Sequence, residues 1–270
     1  MDETLFAAWL ARQQALADTP PLSPRDALQL DASGAQVGSI EPALAQRLLE
    51  AGLPLRRSPD GWCVTGEADA SMLQIARWLH ANALGGRWRD ELLAVTDVHG
   101  QWVGRIERAA VRPLGITSFA VHLVARAKEG GTWVQRRALD KATDPGLWDT
   151  AMGGLVASGE TVMQALERET WEEAGLRLAE LHDVAALGRL TVRRPVDAHG
   201  YMVEHIDVFE AIVPGHSVPV NQDGEVERFE RWSEAALRER LVACAFTLEA
   251  GLILAGYLTR PGPRLASTPR

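Results

Sequence analysis

GLVASGETVMQALERETWEEAGL, running from Gly154 to Leu176, decides how the rest of this 270-residue chain is read. Thr161 and Gln164 have the spacing of a capping box, which predicts a helix starting there. Gly175 stands where a helix stop belongs. Between these signals Val162, Ala165 and Leu166 form an apolar stripe. At about 100° per residue, Glu169, Glu172 and Glu173 fall on the same side one to two turns later. The helix therefore turns its apolar side inward and places three carboxylates on that side. Carboxylates that are clustered and partly buried need neutralising charge or protons. Arg168 can neutralise one. A divalent cation would serve the others, and oxygen ligands without nearby Cys or His favour a hard ion, Mg²⁺ or Mn²⁺. A solvated acidic helix face would use the same residue types.

The full spacing resembles the Nudix box, G-x5-E-x7-R-E-U-x-E-E-x-G-U, with U a bulky aliphatic residue. Gly154, Glu160, Arg168, Glu169, Glu172, Glu173, Gly175 and Leu176 match it. Thr170 departs from it at the first U position, and its hydroxyl needs a partner if buried. The resemblance implies a Nudix fold, in the class α+β or α/β, with a mixed sheet between helices. It implies attack of water on phosphorus within a diphosphate linked to another group. By motif position Glu172 and Glu173 would be the main metal ligands. Glu169 would be a ligand or the general base, with Arg168 holding it, and the Gly153 carbonyl would complete the metal shell.

The composition, 46% hydrophobic and 24% charged, is that of a globular protein. A net charge of −8 argues against a nucleic-acid polymer as partner. A small anionic substrate remains compatible, because bound cations invert local charge. Cys63 and Cys244 make neither a disulfide framework nor a zinc site, which predicts a reduced cytoplasmic protein. The chain start is acidic and soon broken by charge, unlike a signal peptide. No apolar run reaches membrane-spanning length. A homodimer is compatible with all of this.

Apolar spacing at Leu5, Phe6, Trp9, Leu10 and Leu16 predicts an amphipathic helix, ended by Pro20, Pro21 and Pro24. An internal repeat follows: Asp31 to Glu41 and Asp97 to Glu107 share D-x-x-G-x-x-V-G-x-I-E. Each copy reads as a β-turn-β unit leading into a helix, at Ala43 and at Ala109. Trp62 to Val64 reads as a strand and Ser71 to Leu84 as a helix. Residues 1–110 are therefore expected to form a small α+β domain with a duplicated element, and residues 111–270 the domain that carries the box.

Phe119 to Ala125 predicts a buried strand, and Trp133 to Arg137 its hairpin partner after Gly130-Gly131. Arg136, Arg137 and Lys141 precede the acidic helix and are candidates to clamp phosphate oxygens, or form a solvated basic edge. Val184 to Val192 and Met202 to Val213 read as strands, with His205 as a hydrogen-bonded sheet residue. Ser233 caps a helix to Leu241, Phe246 to Leu258 forms the last helix, and the tail to Arg270 frays. Glu225 and Glu227 are candidates for a further ligand or base beside the box, as is Glu160.

The run WVQRRALDKATDPGLWDTAMGG, with DGEVERFERW downstream, resembles Nudix proteins that carry the N-terminal domain labelled DUF4743. These are similar to the Nudix half of fungal thiamine pyrophosphokinase fusions. The resemblance implies hydrolysis of thiamine diphosphate, or of its damaged oxy and oxo analogues, to the monophosphate. Trp133, Trp148 and Tyr201 are then candidate ring-stacking residues. An ADP-ribose-type pyrophosphohydrolase is an alternative. The run also resembles isopentenyl diphosphate isomerase, but Asp149 to Met152 supply no cysteine after Trp148 for that chemistry. A non-catalytic sensor is the third alternative, and such proteins usually lose box glutamates that this chain keeps.

Overall fold

The computed structural model describes residues 3–196 and 200–260; the tail expected to fray beyond residue 260 lies outside the described residues. Helix α1 (Glu3–Ala17) stops before the prolines, as their spacing requires. Strands β1 (Asp26–Leu30) and β2 (Gln36–Ile40) form the first copy of the repeat, closed by Gly34 at φ +66°. Helix α2 (Pro42–Glu50) follows directly, with proline in its first turn, where no N–H is missed. Strands β3 (Leu55–Ser58) and β4 (Gly61–Val64) complete a four-stranded sheet in the order β2-β1-β4-β3. Helix α3 (Ala68–Ala81) begins three residues ahead of Ser71, because the Glu67 carboxylate caps the amides of Asp69 and Ala70.

Strands β5 (Leu92–Thr96) and β6 (Trp102–Glu107) form the second copy of the repeat. Here the expected helix shrinks to one 3-10 turn, Arg108–Ala110. Pro113 has no amide hydrogen to extend the ladder, and beyond the 3-10 turn Leu114 N bonds Ala110 O at 3.3 Å before Gly115 N turns back to Arg112 O. The glycine shared by both copies permits close approach. A Cβ at Gly38 would overlap the carbonyl of Leu114, and one at Gly104 would sit 3.2 Å from Asp69 Oδ1.

The second sheet is mixed and seven-stranded. Its path is β11 (His182–Pro195), β12 (Tyr201–Val213), β7 (Thr117–Ala127), β8 (Thr132–Arg137) and β13 (Val226–Trp232). Strand β9 (Trp148–Asp149) pairs with β8, and β10 (Met152–Leu155) with β7. Alternation along β7 sorts its side chains onto two faces. Ala120 and Val124 join a core with α1, α5 (Glu234–Val242) and α6 (Leu248–Thr259). Val121, Leu123 and Ala125 join a second core under α4 (Val162–Ala174). The sheet is therefore layered between helices, as expected for the Nudix fold.

Helix α1 packs through Phe6 and Trp9 into the core of α5 and α6 rather than with the strands that follow it. The β5-β6 hairpin reaches the box loop, where the Leu92 carbonyl accepts the Ser158 amide at 2.7 Å. No helix among the described residues is long and apolar enough to cross a membrane.

Two glycine substitutions should separate packing from propensity. Gly38→Ala forces its strand away from Leu114 and should cost about 1–3 kcal/mol in urea unfolding. Gly256→Ala, in α6 with no atom near its added methyl, should instead gain about 0.5–1 kcal/mol.

Candidate active site

Helix α4 starts and stops where the sequence places it. Thr161 and Gln164 form a complete capping box, and Gly175 closes the helix at φ +61°. Ala165, Leu166 and Ala174 bury its apolar side against the sheet. That burial fixes the height at which the glutamates meet β10.

Strand β10 is two glycines wide at that point. Gly153 lies opposite His122 of β7 in the antiparallel register. A Cβ on Gly153 would overlap the His122 ring, and a Cβ on Gly154 would overlap the Glu169 carboxyl. Side chains from both faces of the sheet thus rest on bare backbone.

Arg168 organises the acidic edge. Its Nε and Nη2 donate to Glu160 at 2.7 and 2.8 Å, a two-pronged pair. Its Nη1 donates to Glu169 Oε1 at 2.7 Å and to Glu172 at 3.1 Å, and Nη2 also reaches the Leu155 carbonyl. The hydrogen bond to Glu160 is the main reason that the guanidinium holds its proton more firmly than usual. The same bond holds the Glu160 carboxyl below the usual range. Glu169 behaves in the opposite way. Burial pushes it up to about 7; Arg168 opposes this, and the neighbouring Glu173 and Glu172 add to it.

Glu173 is buried, with its side chain 3% exposed. Its Oε2 accepts from Gln135 Nε2 at 2.8 Å and from the Gly153 amide at 2.9 Å. Burial raises its pKa, against Lys141, the Gly153 amide and Gln135, which lower it. Lys141 Nζ lies 3.5 Å from Glu173 and 2.7 Å from Glu225. Burial raises Glu225 too, but Lys141, with Arg89 and Arg108, outweighs it and holds that carboxyl low.

Lys141 therefore joins the box to the Glu225 loop. Arg137 is tied instead to Asp149 at 3.2 Å and to the Thr143 carbonyl at 2.9 Å. Arg136 bonds Gly146 and Glu227, which places Glu227 with that arginine and with Arg228 rather than at Lys141. Two stacking candidates are structural. Trp148 packs 4.4 Å from Trp232 between ring centroids, inside the core, and Tyr201 donates its hydroxyl to the Thr19 carbonyl. Gln135, His122, Asp149 and Thr150 join the site without a motif to announce them. The polar Gln135, buried in β8 beside Val134, is the one signal that was available.

The donor set is made of hard oxygens: Glu169, Glu172, Glu173, Glu160 and the Gly153 carbonyl. Among the described residues no three Asp, Glu, His or Cys side chains stand close enough together to hold a metal ion. Arg168 and Gln135 occupy oxygens that such an ion would use. The fit is nevertheless chemical: the buried Glu173 and mostly buried Glu169 carboxyls, beside the 44% exposed Glu172, with Glu169 pushed towards neutral pH, are the groups a divalent cation would relieve.

A family model described as "NUDIX domain" matches residues 117–245. Nudix hydrolase 20 of Arabidopsis thaliana is 29% identical over 161 residues, which cover 58% of this chain and 43% of that protein. An isopentenyl-diphosphate Delta-isomerase of Corynebacterium glutamicum is 31% identical over 156 residues, covering 53% and 77% respectively. The crystal structure of DR0079 from Deinococcus radiodurans superposes with a TM-score of 0.51 at 24% identity, covering 63% of this chain and 100% of that one. It shares the fold. The chain spans under half the length of two plant relatives, 43% and 44%.

Thr170 is fully buried, and its Oγ1 has no hydrogen-bond partner among the described residues. Thr170→Val restores the aliphatic residue of the motif and should stabilise the protein by about 1 kcal/mol in urea unfolding, with the site intact.

Proposed function

The chain belongs to the Nudix family, and on that premise we propose that it is a Mg²⁺- or Mn²⁺-dependent hydrolase of a diphosphate linked to an organic group. The carrying observation is the convergence of Arg168 on Glu160, Glu169 and Glu172, beside Glu173 and Gly153. Glu172, Glu173 and the Gly153 carbonyl would hold the ion, with Glu169 a further ligand if it is not the base. Such an ion supplies charge neutralisation at the phosphate oxygens and acidifies a bound water.

Glu169 is our choice of general base. Arg168 fixes its Oε1, which leaves Oε2 to take the proton of the attacking water. Arg136, Arg137 and Lys141 would hold the phosphate that is not attacked, and Lys141 is best placed because it already bridges Glu173 and Glu225. Glu160, Glu225 and Glu227 are secondary candidates for ligand or base. Residues 1–110 would shape substrate entry, with the chemistry in 111–270. The hydrogen bond between Leu92 and Ser158 supports that division of labour.

For the organic group, we favour thiamine diphosphate or its oxy and oxo analogues. The support is the resemblance carried by residues 133–154 and 223–232. ADP-ribose-type compounds are the main competitor. The isomerase relative favours a second reading, isomerisation of an isoprenoid diphosphate. Against it stand the thiols. Cys63 lies beside Asp31, far from the box in the fold. Cys244 precedes Ala245, whose carbonyl accepts the Trp148 amide, yet its Sγ faces Arg12.

Glu172→Gln should lower activity by orders of magnitude while circular dichroism stays unchanged, and chelator should abolish turnover. Full turnover in either case sinks the metal assignment. Thiamine diphosphate, oxythiamine diphosphate, ADP-ribose, a nucleoside triphosphate and isopentenyl diphosphate should be compared at equal concentration. A thiamine-type compound should lead. If ADP-ribose or the triphosphate wins by about tenfold, the thiamine assignment is wrong, and isomerisation without phosphate release supports the second reading.

A further inference from the structure

On the far face of the sheet from α4, a cavity of about 260 Å³ opens beside Gly153. It is large enough for one ring, and smaller than a typical site for a whole ligand. His122, Asp149, Arg194, Glu204 and Glu249 line it. Their hydrogen bonds show which polar capacity is spent. Asp149 is saturated: Oδ2 takes Arg137 at 3.2 Å, and Oδ1 takes the Thr150 amide at 2.8 Å and faces His122 Nδ1 at 3.7 Å. Glu204 has one hydrogen-bond partner among the described residues, the Ser118 hydroxyl at 2.8 Å on Oε2, and no cation there pairs with it. Glu249 has Arg194 at 3.5 Å on Oε1 and its own backbone amide, and burial, with Glu204 and Asp149 nearby, still pushes its carboxyl up.

His122 is decisive because its tautomer follows from its neighbour. Thr150 Oγ1 donates its single proton to the Met152 carbonyl at 2.8 Å. The 2.8 Å contact between Thr150 Oγ1 and His122 Nδ1 therefore has Nδ1–H as donor. In the neutral ring this leaves Nε2 as an acceptor. His122 is only 8% exposed, and Nε2 has no partner among the described residues. Nε2 is not shut off from solvent and opens to the cavity, where an acceptor without a protein partner suits a ligand that supplies a donor. Arg194 Nε–H is unmatched among the described residues too, but unlike His122 Nε2 it is shut off from solvent.

Acceptors with spare capacity on Glu204, Glu249 and His122 thus share the cavity lining with the guanidinium of Arg112, which among the described residues reaches only the Met202 sulfur at 3.9 Å. We propose that this cavity holds the organic half of the substrate and selects a nitrogen heterocycle whose edge carries N–H donors beside an acceptor, with Glu204 and His122 as selecting residues. The inference rests on the diphosphatase reading, in which the diphosphate lies on the α4 side of Gly153. Gly153 is shared: its amide holds Glu173 and its Cα carries the His122 ring, so the two half-sites meet through one residue. A ring lacking N–H donors would strip water from three acceptors and return nothing, which is how a polar pocket rejects an apolar shape.

The test separates pocket from box. The full chain, without metal, is titrated by ligand-observed NMR with 4-amino-5-hydroxymethyl-2-methylpyrimidine and with benzyl alcohol. Neither carries a phosphate, so the result does not depend on hydrolysis. The aminopyrimidine should bind at least about tenfold more tightly than benzyl alcohol. Glu204→Gln, with Glu249→Gln as a second variant in case the first misfolds, should erase most of that preference. Equal binding of the two rings, or a preference untouched in a folded variant, overturns the proposal. Absence of metal-dependent diphosphate hydrolysis would overturn the box reading instead, while the ring titration still decides the pocket.

Discussion

The site depends on a piece of backbone with no side chains. Gly153 and Gly154 let the Glu169 carboxyl settle on one face of β10 and the His122 ring on the other. Any larger residue would lift α4 from the sheet or push His122 out of its bond with Thr150. The acidic edge and the ring-sized cavity are consequently one strand apart. That thinness lets two chemically opposite half-sites, one acidic and one of mixed polarity, share a residue.

Around that strand the electrostatics are held by few cations. Arg168 serves three carboxylates and a carbonyl, and Lys141 serves two carboxylates. Buried ionic arrays of this kind contribute little net stability when complete, but losing one member leaves charge stranded. Even with both cations in place, burial and the neighbouring glutamates still push Glu169 up to about 7. Thr170 tells the same story on a small scale. Its unmatched hydroxyl is a cost carried directly beneath the glutamates.

Much of the box was legible in the sequence because its signals are local. A capping box and a left-handed glycine fix both ends of α4 within a dozen residues, and period fixes which side the glutamates take. The long apolar run of β7 was equally plain. The partners were not legible, because they depend on which strands become neighbours. Gln135, His122 and Asp149 reach the site through cross-strand register, which no spacing rule encodes. The second copy of the repeat lost its helix to a proline several residues downstream. For Trp148 and Tyr201 the sequence left ring stacking and packing equally open, since an aromatic side chain in isolation carries no label for either use; the fold gives them packing and a tether.

The docking of α1 on α5 and α6 has a consequence for how the protein is made. More than two hundred residues separate Ala17 from Leu248, so the helix synthesised early meets its partner late. At ribosomal speeds that interval is on the order of ten to fifty seconds. Phe6 and Trp9, buried in the finished core, have no such cover during that time. The docking of α1 onto α6 therefore follows the synthesis of α6 rather than that of the strands next in sequence.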